Sequence, residues 1–220
     1  MYNTQQIIDA ITKQGMLPLY FNADQHVSVE ILRALYKAGV RIMEFTNRGE
    51  AALSNFKKLL EVQSSEMPDS IIGIGTIKNI QQAKTYLDAG AAFLVSAGYD
   101  AEVAAYCTKH DIFYGPGCMT PTEIQAAENA GVKFVKLFPG NMLGPEFMSG
   151  IKDIFPKMVF MPTGGVDTTR ESIEAWYTSG VSAVGMGSKL VSKKRMDSKD
   201  YIGIESIARD VLRIIAEIRN

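Results

Sequence analysis

The sequence predicts an α/β fold, a single (β/α)8 TIM barrel with an extra N-terminal helix, occupying residues 1–220 as one domain. Three observations carry this expectation. Short apolar runs alternate with stretches of helical period along the chain, the pattern of repeated βα units around a parallel sheet. About eight such runs can be placed, the number a barrel of this size needs. Four helix-to-strand joins carry a small residue followed by glycine: Ala38-Gly39, Ala89-Gly90, Ala130-Gly131 and Ser179-Gly180. Glycine there reads as the left-handed residue that ends a helix, and the unequal spacing of the four argues against a tandem solenoid. A doubly wound open sheet is the alternative, but no G-x-G-x-x-G opens a first βα unit.

In chain order, a helix over 4–14 precedes the first strand, 16–21. A helix over 28–38, stopped by Gly39, leads to a strand over 40–46, and a helix over 51–62 leads to a strand over 71–76. The next units are a helix at 80–89, a strand at 92–96, a helix at 100–109 and a strand at 112–115. A helix over 122–130 precedes the strand 133–138, and a helix over 146–154 leads to the strand 158–161. The last strand, 183–186, lies between helices at 170–178 and 201–219.

Composition narrows the function. The 220 residues, 46% hydrophobic and 21% charged, are enough to bury a large core. A net charge of -1 and a pI near 6.2 lack the basic footprint of a nucleic-acid or anionic-membrane binder, so the expected partner is a small molecule. Cys107 and Cys118 have no metal-ligand spacing, and the N-terminus does not resemble a signal peptide. A reduced cytoplasmic setting with free thiols is expected. No apolar run approaches the roughly 20 residues that span a bilayer.

In a barrel, chemistry belongs at the C-terminal ends of the strands. Lys136 lies in the apolar run Val132-Lys133-Phe134-Val135-Lys136-Leu137-Phe138, where a period of two places it on one face with Phe134 and Phe138. Desolvation there lowers an ammonium pKa and leaves neutral amine to attack a carbonyl. By itself the run favours a rim lysine reaching water by its stem, and it is the other motifs in register that shift the reading to a Schiff-base amine. Glu44, inside Ile42-Met43-Glu44-Phe45, either pairs with Arg41 or Arg48 or serves as a general acid/base. Arg48 suits a carboxylate clamp, and Thr76 offers a hydroxyl to the same anion. The loops Thr163-Gly164-Gly165 and Gly185-Met186-Gly187-Ser188 present bare N–H groups at the positions where barrels hold phosphate; either alone reads equally as a tight turn. His26 and His110 read as surface residues, Trp176 as packing, and Ser192-Lys193-Lys194-Arg195 as a solvated loop. No His, Asp or Glu cluster has metal-site spacing, so no metal is expected, and a Schiff-base amine would supply the electron sink itself, so no cofactor is needed.

These motifs, Arg41-Ile42-Met43-Glu44-Phe45-Thr46-Asn47-Arg48, Gly73-Ile74-Gly75-Thr76, Phe134-Val135-Lys136-Leu137-Phe138-Pro139 and Pro162-Thr163-Gly164-Gly165, resemble in order those of the class I aldolases that act on 2-keto-3-deoxy-6-phosphogluconate or 4-hydroxy-2-oxoglutarate. The resemblance extends from about Ile7 to Val191. It implies that Lys136 forms the imine, that Glu44 moves protons, and that Arg48 and Thr76 hold the pyruvate-end carboxylate. It further implies that Phe138 packs beside the imine, that Gly164, Gly165, Gly187 and Ser188 bind phosphate, and that Thr163 influences stereochemistry. The implied reaction is cleavage to pyruvate and glyceraldehyde 3-phosphate, as in the Entner-Doudoroff pathway, by a homotrimer. Two departures, Ser96-Ala97-Gly98 for Ser-Pro-Gly and Phe138-Pro139-Gly140 for Phe-Pro-Ala, leave the substrate open between this sugar acid, its galactonate epimer and 4-hydroxy-2-oxoglutarate. A non-catalytic phosphate-binding barrel would have no need of Lys136 or Glu44, and an isomerase or decarboxylase of similar shape would form no imine.

Overall fold

The computed structural model describes residues 2–220. Helix α1 (Thr4–Gln14) begins at Asn3, whose side chain accepts from the Gln6 N–H while the Gln6 side chain accepts from the Asn3 N–H, and it ends at Gly15 in the left-handed region. Nine short strands follow: β1 (Met16–Tyr20), β2 (Ile42–Thr46), β3 (Ile71–Gly75), β4 (Leu94–Val95), β5 (Tyr114–Gly115), β6 (Gly117–Cys118), β7 (Phe134–Leu137), β8 (Val159–Pro162) and β9 (Val184–Met186). Between and after them run α2 (Gln25–Lys37), α3 (Ala52–Glu66), α4 (Ile80–Asp88), α5 (Ala101–Lys109), α6 (Pro121–Asn129), α7 (Gly140–Ile151), α8 (Arg170–Ser179), α9 (Lys193–Asp197) and α10 (Tyr201–Arg219).

The hydrogen bonding corrects the expected closed barrel. All pairings are parallel, but they form two sheets: an open, six-stranded half-barrel in the order β5-β4-β3-β2-β1-β9, and a separate three-stranded sheet, β6-β7-β8. At one seam the expected strand 112–115 gives way to two pieces. Tyr114 and Gly115 pair with Leu94 and Val95, whereas Gly117 and Cys118 pair with Lys136 and Leu137. Pro116 stands between them with no N–H to donate, and its carbonyl accepts from the Lys136 N–H at 2.9 Å. At the other seam a single bridge, Thr163 to Gly185, and one hydrogen bond, Ser182 N–H to the Phe160 carbonyl at 3.1 Å, join β8 to β9. Neither seam is a ladder, so the single (β/α)8 closure is not formed.

Strand parity sorts the side chains into two cores. Ile42, Phe93, Val95, Phe113, Phe134 and Met161 meet on one face, and α1 lays Ile7, Ile8 and Ile11 against them. The alternate residues, among them Met43, Phe45, Val135 and Leu137, pack outward against the helices. Glu44 and Thr46 share the parity of Ile42, and Lys136 shares that of Phe134. The polar residues therefore occupy the inner face, one step along each strand from an apolar floor.

Two helical regions differ from expectation. The segment expected as a helix at 146–154 starts earlier, as α7 at Gly140, because it is two helical pieces joined at Gly144 (φ 73°) before Pro145. Ser192-Lys193-Lys194-Arg195, expected as a solvated loop, opens α9, with the Ser192 hydroxyl accepting from the Arg195 N–H at 3.3 Å.

Candidate active site

Lys136 and Glu44 are the two charged residues buried on the inner face, 4% and 0% exposed respectively. Neither oxygen of Glu44 has a hydrogen-bond partner among the described residues, so the expected alternative of a pair with Arg41 or Arg48 is not realised. Arg41 is instead bonded to Asp69 and to the Tyr36 and Val40 carbonyls. Burial pushes the Glu44 carboxyl above its ordinary value, against the opposing pull of Lys136 and Arg48. Burial likewise lowers the Lys136 ammonium, with Arg48 adding to the effect and Glu44 resisting it. Both shifts favour the uncharged forms, a nucleophilic amine beside an acid able to hold a proton.

The backbone around this pair leaves room for it. Glu44 lies opposite Gly73 in the β2–β3 register, and a Cβ on Gly75 would run into the Glu44 carboxylate. A Cβ on Gly73 would run into the Phe93 ring of the floor. The motif Gly73-Ile74-Gly75 is thus a steric requirement of the inner face. Immediately after it, Thr76 adopts φ 63°, a conformation that a β-branched residue rarely takes and that costs on the order of 1–3 kcal/mol. Strain of this kind is retained where a side chain must point to a fixed place.

A cavity of about 280 Å³ opens at Phe138, and neither Lys136 nor Glu44 is part of its walls. Its walls include Arg48, Phe138, Thr163, Gly164, Gly165, Gly187 and Ser188, which brings together every residue singled out for substrate binding except Thr76. The Lys136 amine sits 5.0 Å from the centre of the Phe138 ring. Thr163, 3% exposed, has a hydroxyl without a partner, and a Cβ on Gly185 would overlap it. Gly164 and Gly165 have φ of 94° and 77°, and a Cβ on Gly165 would also meet Asn141 at 2.4 Å. Successive N–H groups in such a turn form a concave donor site for an anion. Sequence reasoning did not find Leu19, Tyr20, Phe21, Val166, Lys189, Val191, Lys193 and Met196, which also line it. For Lys193 the available signal was Ser192, a helix-capping residue. A larger cavity of about 520 Å³ lies at the opposite end, by Gln14, Arg41 and Arg219, but these side chains are already bonded to backbone.

Cys107 and Cys118 are both buried, and burial pushes each thiol up to about 12. His26 and His110 are exposed and distant from this arrangement in the chain, with His110 stacked on Tyr106.

Residues 7–207 match the family model described as KDPG and KHG aldolase. The chain belongs to this aldolase family. It is accordingly a carbon–carbon lyase. Among its relatives, the 2-dehydro-3-deoxy-phosphogluconate aldolase of Treponema pallidum is 30% identical over 95% of this chain and 97% of its own length. The KHG/KDPG aldolase of Escherichia coli is 30% identical over 96% of this chain and 98% of its own. The KDPG aldolase of Legionella pneumophila, whose crystal structure captured pyruvate as a covalent carbinolamine intermediate, superposes with a TM-score of 0.84 at 25% identity, covering 92% of this aldolase and 96% of that chain. No helix among the described residues of the aldolase is long and apolar enough to cross a membrane.

Proposed function

We propose that this class I aldolase cleaves 2-keto-3-deoxy-6-phosphogluconate to pyruvate and glyceraldehyde 3-phosphate, with Lys136 as the imine-forming residue and Glu44 as the general acid/base. The observation that carries this reading is the burial of an amine and a carboxyl on one inner face, the carboxyl without a hydrogen-bond partner among the described residues and both groups shifted toward their neutral forms. Neutral Lys136 attacks the C2 ketone to give a carbinolamine. Glu44, protonated at the start, gives its proton through water to the departing hydroxyl, so that water leaves, Glu44 becomes a carboxylate and an iminium remains as the electron sink. Glu44, relayed by water, takes the C4 hydroxyl proton as the C3–C4 bond breaks. The bonding electrons pass to the iminium, so glyceraldehyde 3-phosphate leaves and a pyruvate enamine remains. Protonation at C3 and hydrolysis of the imine return pyruvate and the free lysine.

In this reading Arg48 and Thr76 hold the pyruvate-end carboxylate, Phe138 packs beside the imine, Thr163 addresses the electrophile's carbonyl, and Gly164, Gly165, Gly187 and Ser188 receive the phosphate. The cavity dimensions and its donor-rich turn support that orientation. 4-Hydroxy-2-oxoglutarate is a second substrate in this reading, favoured by the relatives that are named for both acids. A place in the Entner-Doudoroff pathway and assembly as a homotrimer complete the proposal. Light scattering of the purified chain tests the assembly.

The deciding experiment is intact-protein mass after incubation with pyruvate and borohydride, with Lys136→Ala as control. A reduced pyruvyl adduct on the wild type and none on the variant is expected. An unmodified wild type would remove the imine mechanism.

A further inference from the structure

The cavity at Phe138 carries more positive charge than its motif residues account for. Its walls contain three cations, Arg48, Lys189 and Lys193, and no acidic side chain. Arg48 comes from the end of β2. Lys189 lies directly after Ser188 and Lys193 at the start of α9. Both line the same cavity as Gly164 and Gly165.

Each lysine is held at present by a neighbour outside the cavity walls. Lys189 reaches Asp167 at 2.9 Å and Lys193 reaches Asp197 at 2.6 Å. All four side chains are substantially exposed, and pairs of this type contribute about 0–1 kcal/mol. An incoming anion can outcompete them. A phosphate monoester carries roughly -1.5 to -2 charge near neutral pH and three acceptor oxygens, whereas a carboxylate carries one charge and two oxygens.

We propose that Lys189 and Lys193 are specificity-determining residues of this aldolase, a cation pair that selects a substrate whose distal group is a dianionic phosphate over one that ends in a carboxylate. The inference rests on the aldol reading above and adds to it the residues that separate its two substrates. The backbone N–H groups of the glycine turn accept either anion. The lysines supply the additional charge that only the phosphate can match.

The test measures kcat/KM of the full-length chain on 2-keto-3-deoxy-6-phosphogluconate and on 4-hydroxy-2-oxoglutarate, for the wild type, Lys189→Met, Lys193→Met and the double variant. The ratio of the two values is expected to fall about tenfold for each lysine removed, mainly through KM on the phosphorylated acid, as one charge-assisted hydrogen bond is lost. Lys189→Arg should restore the ratio. Asp167→Asn separates this role from a strap between the two loops: selection by charge predicts a retained ratio, and a strap predicts the same loss as Lys189→Met. An unchanged ratio in the double variant, or equal losses on both substrates, overturns the inference while leaving the aldolase reading intact. A wild type that forms no pyruvyl adduct and cleaves neither acid overturns both.

Discussion

Replacing Lys136 by methionine should abolish cleavage and raise stability. Lys136 is 4% exposed, shares its face with Phe134, lies opposite Met161 in the β7–β8 register, and has its ammonium pKa lowered by burial. Methionine keeps the unbranched shape and removes the polar end. Desolvating a polar side-chain end costs about 1–3 kcal/mol on scales drawn from protein variants, so a gain of about 2 kcal/mol is expected. For a chain of this size that is a rise of about 4–8 °C in Tm. Loss of the lysine also removes one pull that keeps Glu44 ionised, and Glu44 responds by taking up a proton rather than remaining a lone buried charge. The pH dependence has a definite sign. The folded-state pKa of Lys136 lies below its ordinary 10.5, so between the two values the unfolded chain binds a proton that the folded chain lacks. The destabilisation is complete below the folded value and fades as pH rises toward 10.5, and the advantage of the variant shrinks in the same direction. Thermal unfolding of both proteins at neutral pH and near pH 10 reads this directly. A variant that is less stable than the wild type at neutral pH, or an advantage that grows with pH, would refute the argument that the amine is held desolvated at a cost.

Glu44→Gln retains the shape and hydrogen-bonding capacity of the side chain but cannot take a proton; kcat should fall about 10²–10⁴-fold while borohydride still traps pyruvate on Lys136. Thr76→Gly should relieve the backbone strain at φ 63° and raise stability by about 1 kcal/mol in urea unfolding, while kcat/KM drops about tenfold for loss of the hydroxyl. Gly165→Ala places a Cβ where φ is 77° and against Asn141; stability should fall by about 1–3 kcal/mol, and KM for a phosphorylated substrate should rise by more than that for pyruvate. Cys107 and Cys118 should remain unreactive toward a thiol reagent at neutral pH until the chain unfolds, because burial raises both thiols to about 12.

The sequence by itself determined most of the alternation of strands and helices, the face on which Lys136 and Glu44 lie, and part of the cavity wall: Arg48, Phe138, Thr163, Gly164, Gly165, Gly187 and Ser188. These are local properties. A strand's period of two places Lys136 with Phe134 and Glu44 with Ile42 whatever the neighbouring strand, and a small residue followed by glycine ends a helix wherever it occurs. The tertiary structure decided which strands share hydrogen bonds. Eight apolar runs suggested closure, yet the run through Pro116 changes partners from β4 to β7, and β8 meets β9 through one bridge, so the sheet stays open. Nothing in a strand's own pattern specifies its partners, because pairing depends on backbone groups far away in sequence. The same limit hid the strain at Thr76, which is set by what the turn must reach, and the place of Lys193, whose charged run looks like solvated surface until α9 carries it to the cavity. Local pattern determines what a residue is able to do; the packing of distant segments determines what it meets.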